Sequence, residues 1–215
     1  MAKAHFIYDT SNKNADLYYA TKFMAGDPFI FFQFKGKKYM VMNDLEVDRA
    51  KKEAKVDHVL SLTHFRKIAE KRSSYPSKYD LMHEIFQDLG VKHLIMPQES
   101  SFLLVDEMRQ RGYLVEAGPA PFFQERYQKT KEERKYIEQS QKVVFSTIRM
   151  VRDVLQKSRI KGNRLVYKGK ALSSEAVRSM IDVYLMEKGF IAQETIVSCG
   201  KDSVDPHSVG HGLLK

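Results

Sequence analysis

The stretch "TIVSCGKDSVDPHSVGHGLLK", Thr195–Lys215, gathers the only cysteine of the chain, two histidines and two aspartates within 21 residues. Cys199, Asp205, His207 and His211 all carry atoms able to ligate zinc. A closed zinc site wants four ligands at recognisable spacing. His207 and His211 are four apart, which puts two imidazoles on one face only inside a helix, and Pro206 and Gly210 argue against a helix here. A second chemistry makes Cys199 a nucleophile with a histidine base, but nothing around it resembles a thiol-protease signature. A lone cysteine after "TIVS" reads more simply as a small apolar filler. A third reading has His207 contact a substrate while a metal is held by other residues. The plain alternative for both rings is a solvated loop histidine.

The elements that must carry this loop can be read from periodicity. "SSEAVRSMIDVYLMEKG" starts with serine caps at Ser173 or Ser174, places Val177, Ile181, Tyr184 and Leu185 on one face and stops at Gly189, which predicts a helix. "AQETIVSCG" predicts a strand leading into the histidine loop, without a sequential partner to pair its backbone. Upstream, Thr130 is a predicted helix N-cap, with Glu132 and Glu133 in the first turn, and the helix runs to about Lys157. Its apolar stripe is Ile137, Val144, Ile148, Val151 and Leu155.

The earlier residues read as alternating strands and helices. "PFIFFQF", "KGKK" and "YMVMND" form a predicted hairpin. "LEVDRAKKEA" has helical composition, and "VDHVLSL" suits a buried strand. The helix-like "THFRKIAEKR" and "SKYDLMHEIFQDLG" follow, the latter with Leu81, Ile85, Phe86 and Leu89 on one face and Gly90 as its cap. "VKHLIMP", "SSFLLVDEMRQRG" and "YLVEAG" complete a strand–helix–strand unit. This alternation predicts an α/β layer with a partly parallel sheet and helices on both faces. Phe31 and Phe32 are adjacent, so burial of Phe29, Phe31, Phe32 and Phe34 requires a central strand covered on both sides. Pro119 and Pro121 break the rhythm, which places a domain boundary near Tyr127 and gives domains 1–127 and 128–215.

The chain has 215 residues, 43% hydrophobic and 29% charged, and a net charge of +9. These values describe an ordinary globular protein. The lysines and arginines are interspersed with acidic residues, as in "KTKEERKYIEQSQK", and do not form the stripe that nucleic-acid binding wants. No apolar run approaches the ~18–20 residues of a membrane span. The start "MAKAHFIYDT" lacks the plan of a secretory signal. One cysteine fits a reducing compartment, and the expected location is the cytoplasm.

Ser198, Gly200, Asp202, Pro206 and His207 resemble the "S-x-G-x-(N/D)-x-x-x-P-H" segment of the pita-bread metallopeptidases, which include aminopeptidase P, prolidase, methionine aminopeptidase and creatinase. "ADLYYATKFMAGDPFIFFQFKGKKYMVMNDLEVDRAKK" is similar to the amino-terminal domain of the aminopeptidase P and prolidase branch. "RYQKTKEERKYIEQSQKV" resembles the linker and first helix of its catalytic domain. The resemblance implies a creatinase-like amino-terminal α/β domain followed by the first part of an α+β pita-bread catalytic domain. It implies an Xaa-Pro aminopeptidase or dipeptidase, a homodimer acting on proline-containing peptides. Two divalent ions (Mn, Co or Zn), held by two aspartates, a histidine and two glutamates, would share a hydroxide that attacks the amide carbonyl.

In family order all five ligands follow the proline–histidine segment, so the chain is expected to lack them and to be inactive alone, its full-length parent being the enzyme. His207 matches the histidine that hydrogen-bonds the substrate or tetrahedral intermediate, a role a neutral imidazole can fill. His211 matches no family position. The alternative is a creatinase-like protein-interaction module without metals, the basic charge then suiting an acidic partner.

Overall fold

A computed structural model describes residues 2–215. The chain divides into two compact units, Met1–Gln128 and Lys129–Lys215.

The first unit is built on six strands: β1 (Lys3–Asp9), β2 (Phe29–Phe34), β3 (Lys37–Met42), β4 (His58–Ser61), β5 (His93–Met96) and β6 (Leu114–Ala117). Between them lie α1 (Ala15–Thr21), α2 (Asp44–Glu53), α3 (Leu62–Ala69), α4 (Lys78–Asp88) and α5 (Phe102–Gln110). The sheet order is β4-β3-β2-β1-β5-β6. β2 runs antiparallel to β1 and β3, and the other pairs are parallel. Five strands therefore point the same way, with β2 reversed.

The β2–β3 hairpin closes through Lys35 and Gly36, with φ of 49° and 75°. Two successive positive φ values match the right-handed twist of the flanking strands, and glycine removes the steric cost at the second position. β2 lies inside the sheet, and its four phenylalanines are at most 4% exposed. Phe32 and Phe34 join Phe65, Met82, Ile85, Phe86, Leu104 and Met108 from α3, α4 and α5 on one face. Phe29 and Phe31 join Leu17, Ala20 and Ala50 from α1 and α2 on the other. The expected two-sided burial is thus realised, at roughly 1.5–3 kcal/mol of transfer free energy per fully buried large apolar side chain.

Helix starts follow their serine and asparagine caps. Asn43, Ser61, Ser77 and Ser101 each accept a backbone N–H from the first turn of α2, α3, α4 and α5. Gly90 and Gly112 follow α4 and α5 with φ of 69° and 84°. The "VDHVLSL" segment differs from expectation: β4 is an edge strand, half-buried or exposed throughout. It pairs with β3 alone, so only one side of its ladder is used.

The second unit contains α6 (Lys131–Gln156), the short strands β7 (Arg159–Ile160), β8 (Leu165–Tyr167) and β9 (Lys170–Ala171), and α7 (Ser174–Glu187). Thr130 and Glu133 form a reciprocal capping box that fixes the start of α6. The core of this unit is small: Val154, Leu172, Val177 and Leu214, with Met150, Val151 and Ile181 packed against them. Ile137, Val144, Ile148 and Leu155 of the α6 stripe are 40–57% exposed, while Val151 of the same stripe packs beside the buried Val154. One expectation fails here. The "AQETIVSCG" segment is irregular rather than a strand. Its one ladder-like contact is the Val197 N–H donating to Val209 O at 3.1 Å.

Candidate functional site

α7 and the small sheet position the histidine loop. Ser173 caps α7 by accepting the Ala176 N–H at 3.2 Å. Glu175 in the first turn accepts the Gly212 N–H at 3.0 Å. One turn further, Arg178 donates to the carbonyls of Val209 at 2.5 Å and Gly210 at 2.8 Å. Leu214 is buried at 6% exposure; its backbone N–H donates to Leu172 O and its carbonyl accepts the Leu165 N–H, at 3.0 Å each. Residues 209–214 are therefore pinned along most of their length.

Gly210 explains how the loop passes so close to residues 197–198. It has φ +75°, and a Cβ there would lie 2.0 Å from Val197 O. Only glycine allows that approach. Glu175 is the strongest electrostatic feature of the loop. The Gly212 N–H, its own backbone N–H and the Ser173 hydroxyl hold its carboxyl down to about 2. Such donors favour the ionised carboxylate.

His207 sits away from these anchors and is exposed. Asp205 accepts its backbone N–H at 2.9 Å, and the Ser208 N–H donates to Asp205 O at 3.2 Å, a local turn at Pro206. The imidazole is presented to solvent on a turn held at both sides, a geometry suited to one hydrogen bond with a bound group. His211 lies with Nδ1 3.7 Å from Glu175 Oε1. Cys199 is half-buried, its Sγ 3.5 Å from Lys215 O and 3.4 Å from Lys215 N.

The zinc reading of Cys199, Asp205, His207 and His211 fails on placement. Among the described residues, no group of three or more histidine, cysteine, aspartate or glutamate side chains is arranged to hold a metal ion. The described residues therefore do not fit the two-metal centre implied by the family resemblance. Glu175 and Arg178, which fix the loop, carry no signature in the sequence: their partners are backbone groups more than 30 residues away. The one available hint was an acid and a base in the first turns of a helix that precedes the loop.

No family profile matches the sequence, and no curated protein does. Solved structures match with both units included. An X-Pro aminopeptidase from Thermotoga maritima MSB8 is covered over 55% of its length by 100% of this chain, with TM-score 0.72 and 15% identity. An Xaa-Pro dipeptidase from Bacillus anthracis gives TM-score 0.76 at 13% identity, covering 100% of this chain and 53% of that one. The prolidase from Pyrococcus furiosus gives TM-score 0.68 at 17% identity, covering 99% and 54%. The chain has the fold of part of an Xaa-Pro peptidase. It spans about half the length of these structures.

Proposed function

We propose that residues 1–127 are the creatinase-like amino-terminal domain, and residues 128–215 the opening part of the catalytic domain, of a metal-dependent Xaa-Pro exopeptidase. The observation that carries this reading is the match of the whole chain, across both units, to aminopeptidase and dipeptidase structures named for Xaa-Pro substrates. The "S-x-G-x-D-x-x-x-P-H" pattern at Ser198–His207 supports it independently.

In this reading His207 lies on the substrate side of the site and donates one hydrogen bond to an oxygen of the peptide, stronger as negative charge develops there. Glu175 and Arg178 act through the loop that carries the ring, as positioning residues. The divalent ions that the reading implies would be held by residues other than those described, and would supply a metal-activated hydroxide as nucleophile. The protein is taken as a cytoplasmic homodimer, which sedimentation of the purified protein and fractionation of its source cells check.

The 215-residue chain by itself is proposed not to hydrolyse peptides. The test is release of the first residue from an Xaa-Pro peptide by the purified chain, with and without added Mn, Co or Zn ions. No release above the protein-free control is expected. Metal-stimulated turnover would overturn the reading.

A further inference from the structure

Two adjoining cavities open at one edge of the first unit's sheet, with volumes of about 210 and 300 Å³. Tyr8, Pro28 and Lys78 line both, so the two form one cleft. It sits where β1 and β3 end, against the start of β2. β1 is followed by β2 on one side, whereas the chain crosses after β4 to place β5 on the other side of β1. Crevices at the carboxyl ends of strands, where the order reverses in this way, are the usual ligand sites of open α/β sheets.

The lining has both an apolar floor and charges of two signs. Phe29, Ile30, Val41, Met42, Leu81 and Met82 form the floor. Lys78 carries its Nζ 5.1 Å from the centroids of the Tyr8 and Tyr79 rings. It has no ion-pair partner among the described residues, although carboxylates line the same cleft. Glu46 is neutralised by Arg49, at 2.5 Å. Asp27 and Glu99, both exposed, are unpaired among the described residues, while Asp9 accepts the Thr10 N–H and the Asn14 side-chain amide; of the three, Asp27 alone lines the part of the cleft that holds both Lys78 and the apolar floor. A purely anionic ligand would meet Asp27, and a purely cationic one would meet Lys78. A zwitterion satisfies both. The part that carries the apolar floor is about 210 Å³, below the ~300–1,000 Å³ typical of drug-sized sites, so a side chain seated on it is small.

We propose that this cleft binds a free amino acid with an apolar side chain, its carboxylate on Lys78, its ammonium on Asp27 and its side chain on the Phe29–Met42 floor. The site is independent of the peptidase reading.

Calorimetric titration of the 215-residue chain with L-leucine tests it, alongside 4-methylpentanoate, which lacks the ammonium, and 3-methylbutylamine, which lacks the carboxylate. Lys78→Gln and Asp27→Asn change exposed side chains, so folding is retained and is checked by thermal melting. Saturable millimolar-range binding of leucine is expected, weakened about tenfold by either substitution, as loss of one charge-assisted hydrogen bond implies. Both analogues should bind more weakly than leucine. Absence of saturable leucine binding, equal affinity in Lys78→Gln, or an analogue binding as tightly as leucine would overturn the assignment.

Discussion

The carboxylate of Glu175 accepts the backbone N–H of Gly212 at 3.0 Å, tying the first turn of α7 to the histidine loop. The carboxyl is held at about 2, chiefly by that N–H, against about 4.3 in an unfolded chain. A depressed folded value means the bond contributes in full above about pH 4.3 and is lost as pH falls towards 2. Thermal melting of Glu175→Gln should therefore lie below that of the parent chain at pH 7, with the gap closing by about pH 2. A gap that stays constant over this range would show that the carboxylate is not the group being titrated.

Gly210 and Gly212 separate two effects of a left-handed backbone. Both have positive φ, but a Cβ at Gly212 meets nothing within 4 Å, whereas one at Gly210 meets Val197 O at 2.0 Å. Gly212→Ala should cost about 1–2 kcal/mol from φ alone. Gly210→Ala should cost more, because backbone must move, and should expose residues 205–212 to limited proteolysis. Equal melting temperatures for the two variants would contradict the close approach.

Phe32 is fully buried, stacked on Tyr39 with centroids 4.8 Å apart and edge-on to Phe86 at 5.5 Å. Phe32→Ala should destabilise the first unit by about 3–5 kcal/mol. Urea unfolding followed by tyrosine fluorescence reads this directly, and a loss below about 1 kcal/mol would mean the face is less tightly packed than described.

His207 is exposed, and its backbone alone carries the turn. His207→Ala should leave the melting temperature of the chain within the range of neutral surface changes, about ±0.5 kcal/mol. A large drop would make the ring structural and remove the basis for its proposed substrate contact.

Much of the first unit was legible because its signals are local. Ser77, Gly90 and the Leu81–Phe86 stripe delimit α4, and the Lys35-Gly36 turn sets the hairpin. β1 was not legible: Phe6, Ile7 and Tyr8 of "KAHFIYD" are strand formers, but a short apolar run with no turn signal before it has no local bounds. α1, at seven residues, and the two- to three-residue strands β7–β9 are too short to show a period. Periodicity placed Ile137, Val144 and Ile148 on one side of α6 but is silent on what covers that side. "TIVSCG" has strand composition, yet a strand needs a partner, and Val197 finds only Val209.

At the site, the turn residues Pro206 and Gly210 foretold a loop, whereas the anchoring by Glu175 and Arg178 depends on tertiary approach. The Lys78 cleft draws on residues from Ile7 to Leu104, a convergence no linear pattern reveals.

Xaa-Pro exopeptidase activity, as proposed above, is open to direct test on the polypeptide from which these residues come. The most direct measurement is capture of that polypeptide from its source with an antibody raised against residues 2–215, followed by assay on matched Xaa-Pro and Xaa-Ala peptides with and without a chelator. Release of the first residue from the Xaa-Pro peptide is expected, abolished by the chelator, with the Xaa-Ala peptide cleaved far more slowly. A captured polypeptide that cleaves neither peptide with Mn, Co or Zn ions supplied, or both equally, would contradict it.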